Sequence, residues 1–193
     1  MSHPGEEIAG DIDFAAPPSA NLPPGVRRLV IVLDRFAEWT GTLLSWLILA
    51  LVAVVVMEVV RRYAFNDPSI WAYDVSYMLY GSVFMLGAAV TLRYHGHIRT
   101  DLFYARWPPR VQAMVDVAFY VLFFFPGILL FLLAGWDKAE HSFSIMERAM
   151  ASPWRPLLFP FRAVIPLTAV LLIAQGISEL LKAGFTLVRG PAK

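Results

Sequence analysis

Four stretches of this chain are long and apolar enough to cross a lipid bilayer, and no other property narrows its possible folds as much. They are WTGTLLSWLILALVAVVVMEVV at 39–60, WAYDVSYMLYGSVFMLGAAVTL at 71–92, and the segments 111–136 and 157–181. A hydrocarbon core about 30 Å thick takes roughly 20 apolar residues in a helix rising about 1.5 Å per residue. Lipid offers no partner to an open backbone, so such stretches span as helices and not as isolated strands. Composition agrees. The chain is 58% hydrophobic and 16% charged, against about 25% charged in a soluble domain. The sequence therefore reads as all-α: a polytopic membrane protein with four transmembrane helices plus short interfacial helices.

The connecting segments carry the rest of the pattern. Residues 1–24 hold five prolines and four acids without Lys or Arg. They lack the basic start and apolar run of a secretory signal, and read as a disordered cytoplasmic tail. A four-helix membrane domain then covers 25–193. In residues 25–38, Val26, Leu29, Val30, Leu33, Phe36 and Ala37 recur at helical spacing among charged residues. That pattern suits an amphipathic helix at the membrane surface, or equally a cytosolic extension of the first span. HIRTDLFYARW, about 97–107, reads as a second interfacial helix halted by Pro108 and Pro109. A third is expected over about 137–151, where Ala139, Phe143, Met146 and Met150 fall near one face.

Orientation follows from Lys and Arg in the loops. With the N-terminus inside, Arg27, Arg28, Arg35, Arg93, Arg99, Arg106, Arg110, Lys182, Arg189 and Lys193 lie in the cytoplasm, ten in all. Arg61, Arg62, Lys138, Arg148, Arg155 and Arg162, six residues, lie outside. The bias places both termini in the cytoplasm.

Chemistry is harder to find than topology. The chain has no cysteine, which removes disulfides, thiol relays and thiolate metal sites. Its basic residues sit at helix ends and form no nucleic-acid-binding stripe. A carrier that works alone places ionisable groups near the bilayer midplane, whereas Glu58, Asp74, Asp116 and Glu179 all lie near span ends. None of the histidines, at 3, 95, 97 and 141, falls inside a span, so paired haem ligation is not expected. His95 and His97 would need further ligands to hold a metal. The nearest carboxylate is Asp101, and His141 falls on the opposite side. No catalytic, metal or substrate-binding residue and no cofactor is expected; the chain reads as a scaffold and not as an enzyme. Glu58 and Arg62 form an i,i+4 pair with the acid first, the better orientation. Gly81, Gly87, Ala88 and Ala89 would let another helix approach closely, and Pro126–Gly127 and Pro166 would kink the third and fourth spans.

One family resembles this ordered set. RRYAFNDPSIWAYDVSYMLYGSVFMLGAAVTLRYHGHIRTDLF, at 61–103, is similar to the small membrane subunit of tripartite ATP-independent periplasmic (TRAP) transporters. The pattern residues are Arg62, Tyr63, Phe65, Asn66 and Pro68, then Trp71 and Asp74, then Phe84, Gly87, Ala88 and Ala89, and finally His97, Ile98, Arg99 and Asp101. The family usually has Glu where Asp74 stands and often Arg at Tyr77. The likeness spans roughly 40–182, and its second half resembles members with a longer outer segment.

The resemblance implies an obligate partner, a large multi-span subunit carrying Na⁺ and substrate sites. It also implies a periplasmic binding protein that delivers the solute, commonly an organic acid, and a bacterial inner-membrane location. This chain would brace the stationary scaffold. Gly81, Ala88, Pro126, Gly127, Pro166 and Gln175 would face the large subunit. Phe143, Met146 and Met150, with the loop at 63–71, would lie near the binding protein. The alternative is a membrane anchor of a redox complex, which would carry haem or quinone.

Overall fold

The computed structural model of the protein describes residues 23–93 and 107–189. They form α1 (Pro24–Ala64), α2 (Ala72–Arg93), α3 (Pro109–Phe119), α4 (Phe125–Ser144) and α5 (Phe159–Arg189). A π-helical segment, Tyr120–Phe124, joins α3 to α4 without a break. Four helical rods are thus long and apolar enough to cross a membrane. No strand occurs among the described residues, where pairing is confined to a single bridge between Arg148 and Leu157. The protein is a multi-pass, all-α membrane protein.

Proline fixes where two rods begin. Pro24 and Pro109 open α1 and α3, where a missing N–H costs nothing because the first-turn amides have no helical acceptor. Pro126 sits one residue into α4. Just before it the helix widens, and the amide of Phe125 bonds the carbonyl of Tyr120, five residues back. Such a π turn absorbs the misfit that a proline creates in the i→i−4 ladder. Pro166 lies inside α5.

α5 is the centre of the bundle, in contact with every other helix. α1 packs on α2 and both pack on α5; α3 and α4 pack on α5 as well. The apolar core is small: Leu44, Leu86, Ala89 and Leu171, backed by Leu47, Val83, Val90, Val164 and Leu172. Burying large apolar side chains brings little gain against lipid tails, so close backbone approach carries more of the packing. Glycine makes that approach possible at three places. A Cβ on Gly81 would come within 2.6 Å of the Phe161 ring, and one on Gly135 within 2.7 Å of Ile165. One on Gly176 would collide with the ring of Phe124.

Of the connecting segments, 25–38 takes the extension of the first span that the sequence offered beside a surface helix, and 137–151 differs from its reading. Residues 25–38 are not a separate helix but the first turns of α1, which runs for 41 residues. Nothing in them breaks the i→i−4 ladder, and they contain no internal proline. Residues 137–151 are not one helix either: 137–144 continue α4, and the helix ends at Ser144. The end is a Schellman-type closure. The amide of Glu147 bonds Ser142 O at 3.0 Å, and that of Met146 bonds Phe143 O at 3.2 Å. Met146 takes the left-handed position, with φ of 47°. The expected surface helix at 97–107, Trp107 apart, and residues 1–22 of the tail lie outside the described residues.

Candidate functional site

Polar side chains converge at both ends of the bundle. At the first end the last turns of α1 fold the following loop back upon themselves. Arg62 donates to Glu58 Oε1 at 2.8 Å, while Ser69 bonds Glu58 Oε2 through both its hydroxyl and its amide, the latter at 3.2 Å. Arg61 pairs with Asp67. Asn66 lies at φ of 52°, which turns the Asp67 amide onto Arg61 O at 3.0 Å. Asparagine is one of few residues that visit the left-handed region readily, which gives a physical reason for Asn at this place.

The 145–158 segment completes this end as a hydrogen-bonded hairpin. The Ala149 amide bonds Pro156 O at 2.9 Å, and the Leu158 amide bonds Glu147 O at 2.8 Å. Arg162 grips both oxygens of Glu147, Nη2 reaching Oε1 at 2.7 Å. Arg148 reaches back to Arg155 O at 3.2 Å. Ser152 donates to Asp74, which is buried at the start of α2. The hairpin is thus tied to the stems of α2 and α5. On it and beside it Phe143, Met146 and Met150 stand exposed, Met150 at 88%. Phe143 also packs against Phe159 in a tilted arrangement, ring centroids 4.9 Å apart, on the rim of an apolar groove of 540 Å³ between α4 and α5.

At the opposite end lies a buried charge cluster. Lys182 Nζ sits 3.0 Å from Asp34 Oδ2 and 2.9 Å from Glu179 Oε1. Ser178 donates to Asp34 Oδ1 at 2.9 Å, and Gln175 Nε2 reaches Asp34 at 3.4 Å and Glu179 at 3.3 Å. All five side chains are buried. The sequence reading missed the cluster. Positions 175, 178, 179 and 182 do share one helical face, the signal that could have found it. The ammonium stands between the two carboxylates and bonds both. Among the described residues no three His, Asp or Glu side chains converge to hold a metal.

At both ends these contacts hold helices and loops in place. Comparison with known proteins identifies that frame. The family model described as "Tripartite ATP-independent periplasmic transporters, DctQ component" matches residues 51–184. The chain belongs to the DctQ family.

Curated relatives of this DctQ-family chain agree. It is 23% identical over 122 residues to the sialic acid TRAP transporter small permease protein SiaQ of Vibrio cholerae, covering 61% of this chain and 69% of that one. It is 29% identical over 123 residues to the C4-dicarboxylate TRAP transporter small permease protein DctQ of the same organism, covering 60% of this chain and 50% of that one. It is also 26% identical over 103 residues to the sialic acid TRAP transporter permease protein SiaT of Haemophilus influenzae. That match covers 53% of this chain but only 16% of SiaT.

The DctQ-pattern residues now have places. Arg62 and Asn66 build the folded loop after α1, Trp71 O accepts the Val75 amide at the start of α2, and Asp74 holds Ser152. Gly87 faces Leu44 of α1. His97, Arg99 and Asp101 lie outside the described residues. Three residues expected against a large subunit also make packing contacts inside the chain. Gly81 receives Phe161, Pro166 is buried against Gly135, and Gln175 is 2% exposed beneath α1. Small and kinked positions serve the chain's own central helix first. Ala88 is half-buried, whereas Pro126 and Gly127 are open on the surface. His141, the only histidine among the described residues, is exposed on the last turn of α4.

Proposed function

We propose that this chain is the small permease subunit of a Na⁺-coupled TRAP uptake system in a bacterial inner membrane. In this reading it braces a larger transport subunit, and a periplasmic binding protein delivers the solute, an organic acid. The observation that carries the proposal is the DctQ match over 51–184, which takes in the last part of α1 and most of the other three rods. Both transport systems named among its small-permease relatives handle acids, sialic acid and C4-dicarboxylates. With the N-terminus in the cytoplasm, the hairpin end would face the periplasm. Phe143, Met146, Met150 and the loop at 63–71 would then lie beneath the docked binding protein, and the hydrogen-bonded ties of the hairpin suit such a landing surface. Pro126, Gly127 and the remaining open apolar faces would meet the large subunit or lipid.

Reconstitution tests the reading. Vesicles with the chain alone should take up nothing under a Na⁺ gradient, and vesicles with the large subunit and binding protein should accumulate solute. Uptake by the chain alone would overturn it.

A further inference from the structure

α1 is twice as long as a membrane requires. Its 41 residues span about 61 Å at 1.5 Å per residue, against a hydrocarbon core of about 30 Å. A tilt of about 60° would be needed to sink the whole rod, beyond the roughly 0–40° that spanning helices show. The charge-free stretch at 39–57 lies between Glu38 and Glu58 and already covers about 28 Å. Residues 24–38, with Arg27, Arg28, Asp34, Arg35 and Glu38, therefore extend about 22 Å past the core. Headgroup layers add only about 5–8 Å on each side.

This projection cannot lie flat in the interface. It is continuous with the span, and Asp34 pins it to Lys182 and Ser178 of α5. Val30 and Ala37 are buried on the same side. Yet Leu29 is 48% exposed, Val32 63% and Phe36 51%. With Trp39, Leu43 and Trp46, also exposed, they repeat at alternating steps of three and four. That is the seam a neighbouring helix fits, with its side chains as knobs. Lipid can cover Leu43 and Trp46 but not Leu29 and Val32.

Charge selects among partners. Arg28 and Arg35 are exposed seven residues apart, each one step before a seam position, where coiled coils place their pairing charges. A second copy of this chain would set arginine against arginine or against uncharged Leu33 and Thr40. A helix with acids beside its apolar seam would fit. We infer that the Leu29–Trp39 seam on the projecting part of α1 docks an acid-flanked helix of the larger permease subunit. This rests on the small-subunit reading above.

Photo-crosslinking in the assembled complex tests the inference. A benzoyl-phenylalanine is placed at Val32, at Phe36, or at the off-seam control Ile31 in the tagged full chain, co-expressed with its cognate large permease. Adducts of the two subunits should form from 32 and 36 and not from 31. The double variant Arg28→Glu/Arg35→Glu should lower their yield about tenfold, and Arg28→Lys/Arg35→Lys should retain most of it. Adducts to lipid alone, within the chain, or to a second copy would overturn the docking. If the unmodified chain retains the large permease while 32 and 36 stay silent, only this inference falls. If it fails to retain the permease at all, the small-subunit reading falls and the docking with it.

Discussion

Lys182 holds Asp34 across 148 positions of sequence, its Nζ within 3.2 Å of both carboxylate oxygens. The pair is almost wholly shielded, and Glu179 shares the same ammonium at 2.9 Å. Desolvating such groups is costly, so the cluster is more a device for fixing the position of α1 on α5 than a large net source of stability.

Lys182→Met should therefore destabilise the protein by about 3–5 kcal/mol, because two carboxylates would be left buried around an apolar side chain. Asp34→Leu combined with Lys182→Met should recover part of that loss. Unfolding in detergent, followed by tryptophan fluorescence, checks both. A single variant as stable as the parent would show that the cluster is hydrated and slack.

Gly135→Val should cost about 1–3 kcal/mol, as for other overpacked interiors. The added carbons would meet Ile165 and the backbone nitrogen of Pro166, at 2.7 and 3.3 Å from the Cβ. Gly127→Val, with nothing within 4 Å of its Cβ, should cost less than about 1 kcal/mol by comparison. The difference between the two detergent unfolding curves is the measurement.

The two left-handed helix ends should respond in opposite directions. Met146→Gly relieves a side chain at φ of 47° and should stabilise by up to about 1 kcal/mol. Asn66→Val places a β-branched residue at φ of 52° and should destabilise by about 1–2 kcal/mol. Thermal unfolding of the purified chain reads both signs.

Arg162→Ala should loosen the hairpin without unfolding the bundle. It removes the fork that grips Glu147, a pair partly open to solvent and worth only about 1 kcal/mol globally. Hydrogen exchange at 147–158 should accelerate while exchange in α2 and α5 stays slow. Arg162→Lys should fall between, since an ammonium cannot hold both oxygens in the same geometry.

The spans were legible because apolar length is written locally. WLILALVAVVVM can be little other than a membrane helix, and the Glu58–Arg62 pair could be read from its spacing alone. The buried cluster was not legible in that way. Asp34 sits on a helix whose polar residues suit water, and Lys182 at a span end resembles any snorkelling lysine. Only their meeting, between elements far apart in sequence, shows that both point inward. The end of α4 was hidden for a different reason. Ala139, Phe143, Met146 and Met150 keep a helical rhythm past Ser144, and a methionine occupies the turn where glycine would have announced the stop. Gly135 and Gly176 were equally inconspicuous, since a glycine in a helix signals close packing only once the neighbouring ring is known.

The central place of α5 bears on how the protein is made. Among the described helices it emerges last from the ribosome, yet α3 and α4 have little else to pack on and α1 has no other partner for Asp34. Until it inserts, the membrane holds an α1–α2 pair beside an unattached rod, with an uncompensated acid at its edge. Translation arrested before residue 159 would leave a substrate for membrane quality control, and not three quarters of a working subunit.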